Sequence, residues 1–181
     1  MLKPFIHWYL RRYERRYGYD ARYLHELANI SPAAFWRFAR VQLTLRWPGR
    51  APRDAFLAAG IAGALVEDCG PCVQIATDQA VEQGMAGDTI RALLSGAPAD
   101  ATAQLGFDYA RALLQASDAL DGLREQIVAR WGASALVSLT YVAMAARNFP
   151  VLKRAMGHAK SCQRVRIGDD DVAVAPQRKA A

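Results

Sequence analysis

Two cysteines separated by two residues, in the segment Cys69-Gly70-Pro71-Cys72, are the part of this sequence best suited to chemistry. With this spacing the two thiols can reach each other across the first turn of a helix and cycle between a dithiol and a reducible disulfide. The N-terminus of a helix carries unpaired N–H groups and partial positive charge, which favour a thiolate over a thiol. Pro71 suits a first-turn position because its missing N–H costs nothing there. The motif therefore predicts thiol redox chemistry without naming a substrate.

Polar residues next to the motif are candidates for supporting roles. Glu67 and Asp68 directly precede Cys69. As charges they oppose thiolate formation, but a carboxyl group whose pKa is raised by burial can act as a general base. We interpret Asp68 as a helix cap and Glu67 as the better candidate base. Gln74 could hydrogen-bond a sulfur or a bound peroxide, although two residues beyond Cys72 it points away from that side chain.

The third cysteine, Cys162, lies four residues after His158, so the two share a helix face. Together with Cys69 and Cys72 they would form a zinc-binding set of three thiolates and one imidazole. Alternatively, His158 or Cys162 approaches the redox pair as a proton donor or resolving partner. A third interpretation is a surface histidine and an inert buried cysteine. An odd number of cysteines suits a reducing compartment.

The elements around the motif are predicted to be helices, because apolar residues recur with helical spacing and useful period-two alternation is missing. The fold class is therefore all-α. The one weak exception is Val172-Ala173-Val174 near the end of the chain. Ser31, Asp88, Asp100 and Asp118 are predicted N-caps. The predicted helices cover residues 4–17, 21–29, 32–45, 54–67, 69–83, 88–94, a segment from 100 to about 114, 118–131, 134–147, and a last one from 151 to about 162.

Breaks in the helical pattern divide the chain into three parts. Two prolines and a glycine within residues 46–52 cannot continue a helix. We therefore predict an N-terminal basic helical arm at residues 1–50, a helical core at 51–163 and a disordered tail at 164–181. Asn148-Phe149-Pro150 is predicted to end one helix before the last begins. Gly60 and Gly63, in an Ala-rich apolar segment, are expected to let another helix approach closely.

Charge is concentrated at one end of the chain. Residues 1–50 hold ten Lys or Arg and three Asp or Glu, a balance of +7. The whole chain has a net charge of +6, so the remaining residues sum to −1. Such a patch suits nucleic acid, anionic lipid or an acidic partner, or is simply a solvated helix face. The sequence contains no nucleic-acid-binding motif, no signal peptide and no apolar run of about eighteen residues. We predict a cytoplasmic protein with no nucleic acid partner and no integral membrane segment.

The cysteine motif, its helical lead-in and the segment from Leu136 to Pro150 resemble the carboxymuconolactone decarboxylase and alkylhydroperoxidase D-like superfamily, over about residues 52–162. Thioredoxins share the tetrapeptide, but they need a β-strand leading into it, and residues 54–66 are helical in pattern. The resemblance implies an alkylhydroperoxidase D-like helical bundle with an N-terminal helical extension, assembled as a homo-oligomer. It also implies that Cys72 attacks a hydroperoxide and that a thiol reductant, such as a thioredoxin-like or lipoyl protein, reduces the Cys69–Cys72 disulfide.

The chain departs from the superfamily at two positions. Peroxidase members carry a His four residues after the second cysteine and a Glu about twelve before the first, and here these positions hold Ala76 and Leu57. Asp54 and Glu67 are the nearest acidic substitutes. Without the imidazole, position on the helix makes Cys69 as suitable a nucleophile as Cys72.

The sequence therefore leaves three hypotheses. The first is a cysteine-based peroxidase or disulfide oxidoreductase, for which we predict no cofactor. The phosphate-binding glycine loop and the zinc-protease motif are both missing from the sequence, so nucleotide hydrolysis and metalloprotease chemistry are not supported. The second is a non-enzymatic helical module whose cysteines bind metal or form a regulatory disulfide. The third is a decarboxylase or isomerase acting on a small organic acid.

Overall fold

The computed structural model describes residues 2–158, 164–168 and 170–174, and these ranges are helical apart from one small hairpin. The predicted all-α fold class is confirmed. The helices are α1 Leu2–Tyr17, α2 Arg22–Ile30, α3 Pro32–Leu45, α4 Arg53–Leu65, α5 Gly70–Glu82, α6 Gly87–Ser95, α7 Ala101–Gln115, α8 Leu120–Trp131 and α9 Ala133–Ala155. The hairpin consists of β1 Arg164–Ile167 and β2 Asp170–Ala173.

Of the N-caps predicted at Ser31, Asp88, Asp100 and Asp118, the first and third are confirmed. The side chains of Ser31 and Asp100 accept hydrogen bonds from first-turn N–H groups of α3 and α7. Asp88 instead lies inside the first turn of α6, where it accepts a hydrogen bond from Arg91. Asp118 precedes α8 by two residues and does not cap it. Both helices begin after an alanine, so their first N–H groups receive no side-chain cap.

The centre of the fold is α4, which is buried along nearly its whole length between α7 and α9. Two glycines permit these close approaches. A Cβ on Gly63 would come within 2.5 Å of the main-chain oxygen of Ala143 on α9. A Cβ on Gly106 of α7 would overlap the main chain of Ala55. The predicted close approach at Gly63 is confirmed, whereas Gly60 meets only ordinary contact, at 3.5 Å from Val142.

The predicted break at Asn148-Phe149-Pro150 is wrong, because α9 runs continuously through it. Pro150 lies inside the helix and is buried. Contacts on both sides of the proline stabilise the continuous helix: Phe149 packs edge-on against Phe38 of α3, and Arg147 and Arg154 bind the same carboxylate. These tertiary contacts outweigh the local cost of a proline in a helix.

The N-terminal arm forms a second apolar cluster, separate from the core around α4. The inner face of α1 contributes Ile6 and Leu10, and the following turn and α2 contribute Tyr19 and Tyr23. The cluster packs against α5 and α9 through partly buried residues, among them Ile75 and Leu152. Residues 46–52, the predicted connector between arm and core, contain no helix.

Part of the predicted disordered tail is an ordered hairpin. Strands β1 and β2 pair antiparallel, with Val165 opposite Val172. Val165 and Ile167 are buried against the core, while Arg166 between them faces outward. Burial of two β-branched side chains stabilises a segment that is too short to fold alone. Residue 169 and residues 175–181 of the predicted tail lie outside the described residues.

Among the described residues, α9 is the one helix long and apolar enough to cross a membrane by length and composition. Core helices of water-soluble proteins meet the same criteria. In this fold α9 packs against α3, α4, α7 and α8. The absence of an integral membrane segment therefore stays a prediction.

Candidate redox site

Cys69 and Cys72 form a disulfide across the first turn of α5, with Cα atoms 5.3 Å apart. Cys69 is the N-cap residue, with extended backbone, and its main-chain oxygen accepts from the N–H of Cys72 at 3.0 Å. Asp68 precedes it at φ 51°, a left-handed conformation that Asp tolerates, and so turns the chain sharply from α4 into α5. Cys69, and not Asp68 as predicted, is thus the N-cap residue of α5. The prediction that the two sulfurs can reach each other across the first turn of a helix is confirmed.

Both cysteines are nearly sealed from solvent. Cys69 is 2% exposed and Cys72 is 3% exposed, and both belong to the core around α4. Gly70 and Pro71 between them are partly exposed. The exposed part of the motif is therefore Gly70 and Pro71, in the first turn of α5.

A tyrosine from the arm contacts the disulfide. The hydroxyl of Tyr19 lies 3.9 Å from the sulfur of Cys72, within hydrogen-bonding range for sulfur. Tyr19 stands in the turn between α1 and α2, directly after Gly18, whose φ of 58° reverses the chain there. The Tyr19 hydroxyl also lies 3.0 Å from the hydroxyl of Tyr23. The arm thus supplies a polar group to a site that belongs to the core.

A buried lysine completes the surroundings of these phenols. Lys153 of α9 is 1% exposed, and its Nζ lies 4.6 Å from the ring centroid of Tyr19 and 5.4 Å from that of Tyr23. It donates to the main-chain oxygen of Asp20 at 3.3 Å. Burial raises the pKa of Tyr19 to about 12, and it raises the pKa of Tyr23 well above 10.0. Both phenols therefore keep their protons at neutral pH and can act as hydrogen-bond donors.

Glu67 is buried, but it is engaged in ion pairs that do not suit a base. Arg147 donates to one carboxylate oxygen at 2.5 Å, and Arg154 donates to the other at 2.9 Å. Burial favours the neutral form of Glu67, but the hydrogen bonds and charges of Arg154 and Arg147 outweigh it and lower the pKa. A carboxylate held ionised by two guanidinium groups is a weak proton acceptor. Its ion pairs with Arg147 and Arg154 instead hold the chain just before Cys69 against α9.

Gln74 binds the hairpin. Its amide nitrogen donates to the main-chain oxygen of Arg166 at 2.8 Å, and its amide oxygen accepts from the Arg166 N–H at 2.7 Å. The same nitrogen lies 2.8 Å from a carboxylate oxygen of Asp78. These bonds occupy the amide, so the suggested contact with a sulfur or peroxide has no support in this arrangement.

The histidine predicted near the motif binds elsewhere. His158 Nε2 lies 2.9 Å from a carboxylate oxygen of Glu26 on α2. Cys162 falls outside the described residues, so its distance from the redox pair stays open. Within residues 2–158 and the hairpin, no group of three or more His, Cys, Asp or Glu side chains is placed to hold a metal ion.

The positions that carry the proton relay in the resembled peroxidases contain no polar replacement here. Leu57 is buried in the core, and Ala76 packs against it. Asp54 pairs with Arg53 at 3.0 Å on the first turn of α4. Asp54 and Glu67, the nearest acidic residues, are thus both held in ion pairs with arginine.

Sequence reasoning missed Tyr19, Tyr23 and Lys153. Each lies far along the chain from the cysteines, and only the packing of the arm on α5 and α9 brings them close. One usable signal is the high aromatic content of residues 1–50, which exceeds what a solvated arm needs.

Comparison of the chain with protein-family models, with curated proteins and with solved structures finds no match. The resemblance to the carboxymuconolactone decarboxylase and alkylhydroperoxidase D-like superfamily therefore stays a hypothesis carried by the cysteine motif and the helices around it.

Proposed function

We propose that this chain is a thiol-dependent oxidoreductase that reduces a small hydroperoxide through Cys69 and Cys72. The observation that carries the proposal is the disulfide at the N-terminus of α5, with the hydroxyl of Tyr19 beside the Cys72 sulfur. The reduced pair would lie at the positive end of the helix dipole, which favours a thiolate. A thiolate attacks peroxide to form a sulfenic acid, and the second thiol condenses with it to a disulfide.

Burial of the pair favours a small substrate. A hydroperoxide is small enough to approach at Gly70 and Pro71, whereas a dithiol or disulfide of another protein can reach Cys69 and Cys72, which are 2% and 3% exposed, only when this first turn of α5 opens. Regeneration then requires a dithiol reductant, and a thioredoxin-like or lipoyl protein is the proposed partner. A cytoplasmic location belongs to the same proposal, because a reducing compartment keeps the pair available as a dithiol. Assembly as a homo-oligomer is likewise proposed.

Steady-state turnover tests this function. Peroxide consumption in the presence of dithiothreitol should be catalytic in the wild-type chain and lost in both Cys69→Ser and Cys72→Ser. Cys162→Ser is the matched control and should retain activity. Turnover that survives in both single variants would refute the proposal.

The depth of the disulfide favours one alternative, a helical module whose buried disulfide is regulatory and not catalytic. This function predicts no peroxide turnover with any reductant, together with a change in stability or partner binding on reduction. No contact of the described residues favours the third hypothesis, a decarboxylase or isomerase, whose activity would survive loss of both thiols.

A further inference from the structure

We propose that Tyr19 is a catalytic residue whose hydroxyl stabilises the Cys72 thiolate and gives its proton to the alkoxide released from the peroxide. Tyr23 and Lys153 act as positioning residues for that hydroxyl. This inference rests on the proposed function and names the group that serves in place of the missing His and Glu relay. It also assigns the peroxide-attacking role to Cys72.

The contact itself distinguishes Cys72 from Cys69. Among the described residues, Tyr19 is the one side chain that places a hydrogen-bonding atom within range of either sulfur. Hydrogen bonds to an ionised acceptor are about twice as strong as those between neutral groups, so this contact strengthens when the disulfide opens to a thiolate. Cys69 has no such donor in the described part of the chain, which suits a resolving thiol.

The orientation of the Tyr19 hydroxyl is set by its neighbours. Tyr23 can donate its proton to the Tyr19 oxygen, 3.0 Å away, which leaves the Tyr19 proton free to point at Cys72. The ammonium of Lys153 lies over both rings and brings positive charge close to the buried site. That charge favours anions nearby, first the thiolate and then the transient phenolate. Burial holds the pKa of Tyr19 at about 12, so its proton is retained until a strong base forms.

Each step balances in atoms and charge. The Cys72 thiolate attacks the terminal oxygen of ROOH, the O–O bond breaks and an S–O bond forms, giving a sulfenic acid and RO⁻. Tyr19 protonates RO⁻ to ROH and recovers a proton from the thiol of Cys69. The Cys69 thiolate then attacks the sulfenic sulfur and expels hydroxide, which becomes water with the proton first lost from Cys72. Two electrons pass from the thiols to the peroxide, and an external dithiol reductant returns them.

The test uses the full-length chain with Cys72 as its one thiol, made by Cys69→Ser and Cys162→Ser. The rate of iodoacetamide alkylation is measured against pH, and its midpoint reports thiolate formation. Adding Tyr19→Phe should raise the midpoint by about one pH unit or more, since a hydrogen bond to a charged group is lost. Tyr17→Phe is the matched control: its hydroxyl bonds Glu82 at the surface, and the midpoint should not move.

An unchanged midpoint in Tyr19→Phe would overturn the assignment. Helical circular dichroism and cooperative unfolding establish that each variant is folded. If Tyr19→Phe does not fold, Tyr23→Phe gives the same answer, because loss of the orienting hydroxyl should shift the midpoint upward by a smaller amount. An unmoved midpoint in Tyr23→Phe would then count against the proposal.

A second readout separates this inference from the proposed function. In the chain with all cysteines, Tyr19→Phe should slow peroxide reduction at least about tenfold, as expected for loss of a general acid. Full peroxide turnover in Tyr19→Phe would overturn the role of Tyr19 and leave the oxidoreductase intact. No turnover in the wild-type chain, with the midpoint shift still present, would overturn the oxidoreductase and leave the thiolate contact intact.

Discussion

Arg154 binds Glu67 at two points: Nη1 donates to a carboxylate oxygen at 2.9 Å, and Nη2 donates to the main-chain oxygen at 2.7 Å. Arg147, two turns earlier on α9, donates to the other carboxylate oxygen at 2.5 Å. Glu67 precedes Cys69 by two residues. The longest helix of the described chain therefore fixes the main chain from which the redox motif begins.

We predict that Glu67→Gln destabilises the fold at neutral pH by about 1–2 kcal/mol, between the values for exposed and fully buried ion pairs. The carboxylate is buried, but Arg147 and Arg154 are 44% and 54% exposed in their side chains, so solvent screens the pairs. The pKa of Glu67 lies below its ordinary value of 4.5. Its stabilisation is thus present above the unfolded pKa and is lost as the pH falls through the folded pKa.

Urea unfolding at pH 7 and at about pH 3 measures this effect. The difference in unfolding free energy between the wild-type chain and Glu67→Gln should shrink on acidification. Glu125→Gln, at an exposed position of α8, is the control and should show no difference at either pH. A gap that is constant with pH would contradict an ionised Glu67.

We predict that Gln74→Ala loosens the hairpin and leaves peroxide turnover intact. Gln74 makes two hydrogen bonds to the main chain of Arg166, and its loss removes the lateral support of β1. Amide exchange should become faster at Val165 and Ile167. Gln83→Ala removes an amide that bonds only within its own helix turn, and exchange in the hairpin should not change. Unaltered exchange together with lost turnover would instead give Gln74 a role at the sulfurs.

We predict opposite effects for alanine at two helical glycines. Gly106→Ala should destabilise the chain by about 1–3 kcal/mol or more, because the added methyl group overlaps the main chain of Ala55 between α7 and α4. Gly122→Ala, in α8 with nothing within 4 Å of the new Cβ, should stabilise it by up to about 1 kcal/mol. Thermal unfolding of both variants checks this. Equal effects would show that α4 and α7 are not in close contact.

We predict that the arm tyrosines make the fold sensitive to alkali. Burial raises the pKa of Tyr19 to about 12 and raises the pKa of Tyr13 and Tyr23 above the ordinary value of 10.0. The unfolded chain loses these protons first, so the stabilisation present below pH 10 is lost as the pH rises through the folded pKa values. Absorbance at 295 nm should show a late group of tyrosines that ionises together with loss of helix. Ionisation of all tyrosines near pH 10, with the helices retained, would contradict their burial.

The helices and the proximity of the two cysteines can be predicted from local sequence, because helical periodicity, caps such as Ser31, and Cys-x-x-Cys spacing depend on residues close in the chain. The break predicted at Pro150 is wrong for the same reason: local rules end a helix at a proline, whereas contacts made by Phe149 and Arg154 keep α9 continuous. The hairpin was missed because two four-residue strands give too short an alternation, and their stability depends on the core beneath Val165.

The surroundings of the disulfide were the least predictable part of the site. The base role suggested for Glu67 requires burial to raise its pKa. Glu67 is buried, but the hydrogen bonds and charges of two arginines 80 and 87 residues away in sequence lower its pKa instead. The contact between Tyr19 and Cys72 spans 53 residues. Such contacts follow from how the arm packs on the core, and no spacing rule within one segment can supply them.

The most direct test of a reversible Cys69–Cys72 couple is peptide mass spectrometry of the fully reduced chain after one equivalent of hydrogen peroxide. The two thiols should be lost together as peroxide is consumed, and a Cys69–Cys72 disulfide should appear. Dithiothreitol should restore both thiols, and Cys162 should stay a free thiol throughout. Peroxide that leaves Cys69 and Cys72 as free thiols, or that joins either of them to Cys162, would contradict the account.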